Sequence, residues 1–221
     1  QIRGTQTIEL HHLYRAMGWL GEPTLQLGAD PRGLRCRKDL IEEELFRRNR
    51  DLFSELELVF FDTTSLYFEG QGGESLGQYG HSKDRRPELR QMVVGAVLDG
   101  AGRPICCELW PGNLTDVNSL IPVVNRLKQR FGISSVCVVA DRGMMSATTI
   151  QKLESAELGM AYILGARMHK DTTVRDQVLP SSGRFHRVTG AKQKPGDLSP
   201  LSVREQWVGG KRYVVCYNED Q

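Results

Sequence analysis

Residues 56–69 read LELVFFDTTSLYFE. The run Leu58-Val59-Phe60-Phe61 is rich in β-branched and aromatic residues and predicts a core strand. It drives into Asp62, then Thr63, Thr64 and Ser65, so the aspartate is expected where the strand leaves the core. A carboxylate there is costly to bury without compensation. In sheets with parallel strands, ligand sites form beyond the carboxyl ends of the strands. The position suits a working group and equally a plain strand-end turn.

The same theme returns at Val136–Asp141, VCVVAD. Alternation places Leu58, Phe60 and Asp62 on one face of the first strand, and Cys137, Val139 and Asp141 on one face of the second. If the two strands are parallel neighbours, both carboxylates emerge side by side. Two such charges repel, and one would normally protonate. A divalent cation reverses that logic. Oxygen ligands without histidine or cysteine nearby favour Mg²⁺ or Mn²⁺ over zinc.

Between these stretches, MVVGAVL (92–98) and PICCELW (104–110) flank Asp99-Gly100-Ala101-Gly102, a hairpin signal. Leu120, Val124, Leu127 and Phe131 recur at helical spacing, with Pro122 tolerable only in the first turn and Gly132 as the stop. Ser146 predicts an N-cap for a helix through Glu157, and Ala161–Leu164 another core strand. Strand, hairpin, helix, strand, helix, strand implies a mixed α/β sheet with right-handed crossovers.

Upstream, residues 1–54 predict a largely polar helical segment. Residues 39–53 carry Glu42-Glu43-Glu44 early and Arg47, Arg48 and Arg50 late, an order that complements the helix dipole. With acids and bases balanced, a solvated face is favoured over a nucleic-acid-binding one. GQGGESLGQYG (70–80) fits neither a P-loop nor a dinucleotide fingerprint and reads as a flexible loop. Beyond Arg167 the texture turns basic, with seven bases against two acids between residues 167 and 194. Residues 201–208 and 211–217 flank Gly209-Gly210 as a hairpin, so 169–221 reads as a β-rich basic insertion.

With 39% hydrophobic and 25% charged residues in 221, the chain can build a core, and a net charge of +2 selects no partner class. No apolar run reaches transmembrane length, and no signal peptide opens the chain. Five cysteines without a CxxC pair fit a reduced, cytoplasmic protein. A first residue that is not methionine and a last one just after a strand-like run suggest a piece of a longer protein.

FDTTSLYFEG (61–70), GHSKDRRPELRQMVVGAVLDGAGRPI (80–105), GNLTDVNSL (112–120) and VVADRGMMS (138–146), in this order, resemble DDE transposases of bacterial insertion sequences. The resemblance runs from about Leu58 to Leu164. It implies a ribonuclease H-like core over 55–168, in which three acidic residues bind Mg²⁺ (or Mn²⁺). Asp62 matches the first catalytic acid and metal ligand, and Asp141 the second. The third is a glutamate on a late helix, in a pattern Tyr-x2-Arg-x3-Ile-x6-Glu that is absent here. Glu205 and Glu219 lie in or beside the predicted hairpin and match nothing, so the chain is expected to end before that helix.

The implied partner is DNA, both element ends and target, bound by a homodimer without membrane association. The implied location is the bacterial cytoplasm, at the nucleoid when DNA is bound. Lys83, Arg85, Arg86, Arg142, Lys170, Arg184, Lys192 and Lys194 are the bases expected to meet phosphates. The implied reaction is DNA cleavage and strand transfer. A catalytically incomplete DNA-binding remnant and a metal-dependent nuclease of the same fold are the alternatives.

Overall fold

The computed structural model describes residues 7–24, 36–49, 57–70, 72, 75–80, 86–133, 135–188 and 202–217. The chain divides into two compact units, 1–165 and 166–221.

The first unit is built on a five-stranded sheet in the order β3-β2-β1-β4-β5. Its strands are β1 (Leu58–Tyr67), β2 (Gln91–Asp99), β3 (Pro104–Pro111), β4 (Cys137–Ala140) and β5 (Ala161–Leu164). β1, β2 and β3 form an antiparallel meander, whereas β4 pairs parallel to β1 and β5 parallel to β4. Helices α3 (Leu120–Phe131) and α4 (Ala147–Glu154) supply the crossovers between the later strands. This is the mixed α/β sheet expected of a ribonuclease H-like core.

Burial alternates along β1, with Val59, Phe61, Thr63 and Ser65 inward and Phe60, Asp62, Thr64 and Leu66 outward. Val59 and Phe61 pack with Val97 of β2, Ile105 of β3, Val138 of β4 and the α3 stripe Leu120, Val123, Val124 and Leu127. Fully burying each such side chain contributes about 1.5–3 kcal/mol. Phe61 meets Trp110 edge-on at 6.3 Å between centroids. Gly95 is what permits this, since a methyl group on it would lie 2.6 Å from the indole and 2.7 Å from the Phe61 ring.

Local signals act as the sequence predicts. Pro122 is the third residue of α3, where its missing N–H has no intrahelical partner to lose. Gly132 adopts φ 66° and ends the helix. Ser146 caps α4 by accepting from Thr149 N–H at 3.0 Å, but that helix stops at Glu154 instead of Glu157.

Three expectations change. Asp62 is not at a strand end: β1 runs five residues further because β2 still pairs with it through Tyr67. Residues 75–80 are tied down, because Gln78 exchanges both backbone bonds with Gln91 at 3.0 Å and Gly112 N–H donates to Leu76 C=O at 3.1 Å. The Lys38–Glu42 side of α2 (Arg37–Arg48) is neither a solvated nor a nucleic-acid-binding face. Its Lys38 donates to Cys107 C=O at 2.7 Å, and Glu42 accepts from Cys107 N–H at 2.8 Å. The helix thereby seals the outer edge of β3.

Arg130, fully buried on α3, reaches Asp39 at 3.3 Å, Glu42 at 3.2 Å and Glu108 at 3.6 Å. Its Nη2 also donates to Asp39 C=O at 2.7 Å. α1 (Leu10–Gly21) joins α2 through Arg37, which stacks 4.8 Å over Trp19 and pairs with Glu22 at 2.7 Å.

In the second unit, β6 (His186–Arg187), β7 (Ser202–Val208) and β8 (Lys211–Tyr217) form an antiparallel sheet in that order. Gly209 and Gly210 turn the β7–β8 hairpin with φ of 57° and 76°. A π-helical turn, Val174–Val178, precedes the strands. Arg204 of β7 donates to the carbonyls of Ser181, Val178 and Leu179 and stacks on Phe185 at 5.1 Å. One buried guanidinium thus satisfies the exposed carbonyl end of that turn.

Candidate active site

The parallel β1–β4 ladder pairs Leu58 with Cys137, Val59 with Val138, Phe60 with Val139 and Phe61 with Ala140. The next residues on the two chains are Asp62 and Asp141. Both are exposed, and both line one cleft of about 330 Å³ with Phe60, Phe61, Ala96, Leu98, Val139, Ala140 and Gly165. The juxtaposition predicted from alternation therefore exists, and its cause is register. β4 stops at Ala140 while β1 continues, so one carboxylate stands on a strand and the other on the turn beyond its neighbour.

Asp62 Oδ1 accepts from Thr63 N–H at 2.7 Å. Among the described residues neither Asp62 nor Asp141 forms an ion pair with a base, in contrast to Asp39, Asp99 and Glu108. Two carboxylates lining one cleft, with no base among its described lining residues, suit a hard divalent ion. Among the described residues no three His, Cys, Asp or Glu side chains gather in a metal-holding group.

Asp141 also caps the 3₁₀ turn Arg142–Met144, its C=O accepting from Met144 N–H at 3.0 Å. Gly165, at the end of β5, donates to Ala140 C=O at 3.1 Å. A methyl group on Gly165 would lie 2.8 Å from Arg142 N, so the backbones after Asp141 and after β5 touch. Gly165 carried no local signal, because only the sheet brings it to Arg142.

A family model described as Transposase DDE domain matches residues 54–219. The chain belongs to the transposase DDE domain family. No curated protein matches this DDE domain. Among solved structures it is similar to the Mos1 transposase paired-end complex with left transposon end, at 17% identity and TM-score 0.35, over 72% of this chain and 51% of that one. It is also similar to a piggyBac transposase synaptic complex with hairpin DNA, at 13% identity and TM-score 0.39, over 81% of this chain and 39% of that one. A Mos1 mariner paired end complex with Mn matches at 16% identity and TM-score 0.34, over 73% of this chain and 52% of that one. The DDE domain thus spans about half the length of the Mos1 chains.

The other bases of interest are dispersed. Arg142 follows Asp141 directly and is exposed. Arg86 lies 5.9 Å over the Tyr67 ring, at the far end of β1 from the cleft. Lys170 and Arg184 are exposed in the second unit. Lys83, Arg85, Lys192 and Lys194 lie outside the described residues. No helix among the described residues is long and apolar enough to cross a membrane.

Proposed function

We propose that this DDE domain belongs to an insertion-sequence transposase that cuts DNA at element ends and joins the new 3′ ends to target DNA. The observation that carries the reading is the register that makes Asp62 and Asp141 the next residues after a shared ladder, inside a chain of the DDE family. Asp62 and Asp141 are the metal ligands, and Mg²⁺ or Mn²⁺ is the cation their oxygens fit. A divalent ion bound there supplies the charge that activates an attacking oxygen and stabilises a leaving one.

The chain's own groups orient the reaction. Asp62 is held by the Thr63 N–H bond and Asp141 by the turn it caps. Phe60, Val139 and Leu98 give the cleft apolar walls. Arg142, exposed beside Asp141, is the base this reading assigns to a scissile-strand phosphate, with Arg86, Lys170, Arg184 and the remaining bases meeting phosphates further along the DNA. Binding then weakens steeply with salt. The working form is a homodimer on DNA in the bacterial cytoplasm.

Mg²⁺-dependent cleavage of element-end DNA by the full-length protein tests the reading. Asp62→Ala and Asp141→Ala should each abolish cleavage while leaving DNA binding in place. Cleavage at the wild-type rate in either variant rejects it. The two-carboxylate count among the described residues favours one second reading, a domain that binds element ends without cutting them. DNA binding without cleavage by the full-length wild type would select it.

A further inference from the structure

Thr63 immediately follows Asp62, and alternation turns its side chain to the opposite, buried face of β1, where it is 5% exposed. There its Oγ1 donates to Asp116 Oδ1 at 2.8 Å. Asp116 begins a 3₁₀ turn, Asp116–Asn118, between β3 and α3. Its second carboxylate oxygen lies against Gly143, where a methyl group would stand 3.0 Å from Oδ2. Gly143 is the middle residue of the turn that Asp141 caps. A single carboxylate, half-buried behind the sheet, therefore touches the residue after Asp62 and the turn after Asp141.

The need for such a tie follows from the register. The last Cα pair of the β1–β4 ladder is Phe61 and Ala140, so Asp62 and Asp141 are not themselves a ladder pair. Two like charges side by side repel, and the turn carrying Asp141 can relieve that repulsion by moving outward. Asp116 opposes the movement from behind. It bonds the β1 side through Thr63, whose own N–H orients Asp62 Oδ1 at 2.7 Å. It also fills the space beneath Gly143, which any side chain at 143 would contest.

We propose that Asp116 is a positioning residue that sets the separation of Asp62 and Asp141 and, through it, their affinity for a divalent cation. The inference rests on the carboxylate-pair reading above. Asp116 is not among the residues that line the cleft. Its role is that of an outer-shell partner, whose loss typically costs about 10- to 100-fold in metal affinity.

The test is Mn²⁺ titration of the full-length protein, with free Mn²⁺ followed by electron paramagnetic resonance and no DNA present. Asp116→Ala and Thr63→Val should each weaken Mn²⁺ binding by about tenfold or more. Thr63→Ser, which retains the hydroxyl, should bind like wild type. The Asp116→Ala/Thr63→Val double variant should be no weaker than the worse single one, because both remove one link. Asp62→Ala is the internal reference and should lose binding altogether. Wild-type affinity in Asp116→Ala or in Thr63→Val, with binding lost in Asp62→Ala, overturns the positioning role alone. Wild-type affinity in Asp62→Ala overturns the carboxylate pair and Asp116's role with it. Should Asp116→Ala fail to fold, Thr63→Val decides, since it preserves the shape of the threonine.

Discussion

Asp62 and Asp141 are the first residues beyond the last pair of a parallel ladder, Phe61 with Ala140, yet they stand on different kinds of backbone. Asp62 lies mid-strand, paired across β2 with Ala96, whereas Asp141 begins a 3₁₀ turn. The strand partner is held by the sheet on one side. The turn partner depends on what packs around it.

Gly165→Ala tests the packing on the β5 side of the turn. The added carbon would sit 2.8 Å from Arg142 N and 3.2 Å from Arg142 Cα. Backbone atoms yield only by shifting, so the segment carrying Asp141 should move by a fraction of an ångström to an ångström. Misplacement on that scale costs on the order of 100-fold in rate. Cleavage kinetics beside a melting curve check this: the rate should fall far more than the stability does.

Removing Arg130 should leave Asp39, Glu42 and Glu108 without the fully buried guanidinium they share. Lys38 remains with Asp39 and Glu42, and Arg126 with Glu108, so Arg130→Met should destabilise the first unit by about 1.5–3 kcal/mol, the loss of hydrogen bonds to charged groups. Denaturant unfolding measures it. Restoring much of the loss by also making Asp39→Asn would identify excess negative charge, not lost packing, as the cause.

Acid sensitivity should centre on Asp99, which is 3% exposed in the β2–β3 turn. Burial alone would push its carboxyl up. The Arg103 and Ala101 N–H groups at 2.7 and 2.9 Å, with the Arg103 side chain, outweigh that and hold it below the ordinary 3.8. A depressed folded value means the contribution is present above the unfolded value and is lost as pH falls through the folded one. The stability gap between wild type and Asp99→Asn should be constant near neutrality and shrink below about pH 4. Glu44, drawn down to about 2 by Arg47 and Arg48, faces solvent and should contribute little to that slope.

Thiol chemistry should separate the cysteines. Burial, with the Glu42 charge adding to it, pushes the Cys106 thiol up to about 12. Cys216 is exposed. At pH 8 a thiol reagent should label Cys216 in the folded protein and reach Cys106 only on unfolding, because the thiolate is the reactive form. Peptide mapping after timed labelling distinguishes the two.

What the sequence determined by itself was everything that depends on near neighbours. Alternation in VFFD and VVAD, the Asp99–Gly102 turn, Pro122 near a helix start and Gly132 at its end are each legible within a few residues, because strand and turn preferences are local. From these came the mixed sheet and the strand faces of Asp62 and Asp141, whereas the parallel pairing that sets them side by side came from the fold. Tertiary structure decided what joins residues far apart in the chain. Arg130 meets Asp39 across 91 positions, and Thr63 meets Asp116 across 53. Nothing in the acidic and basic runs of residues 39–53 announces that Asp39 and Glu42 turn inward, since a charge pattern reads the same whether solvent or a buried arginine receives it. The same limit hid Asp116 within GNLTDVNSL and Gly165 after AYIL. Their significance is a contact, and contacts exist only once the strands have paired.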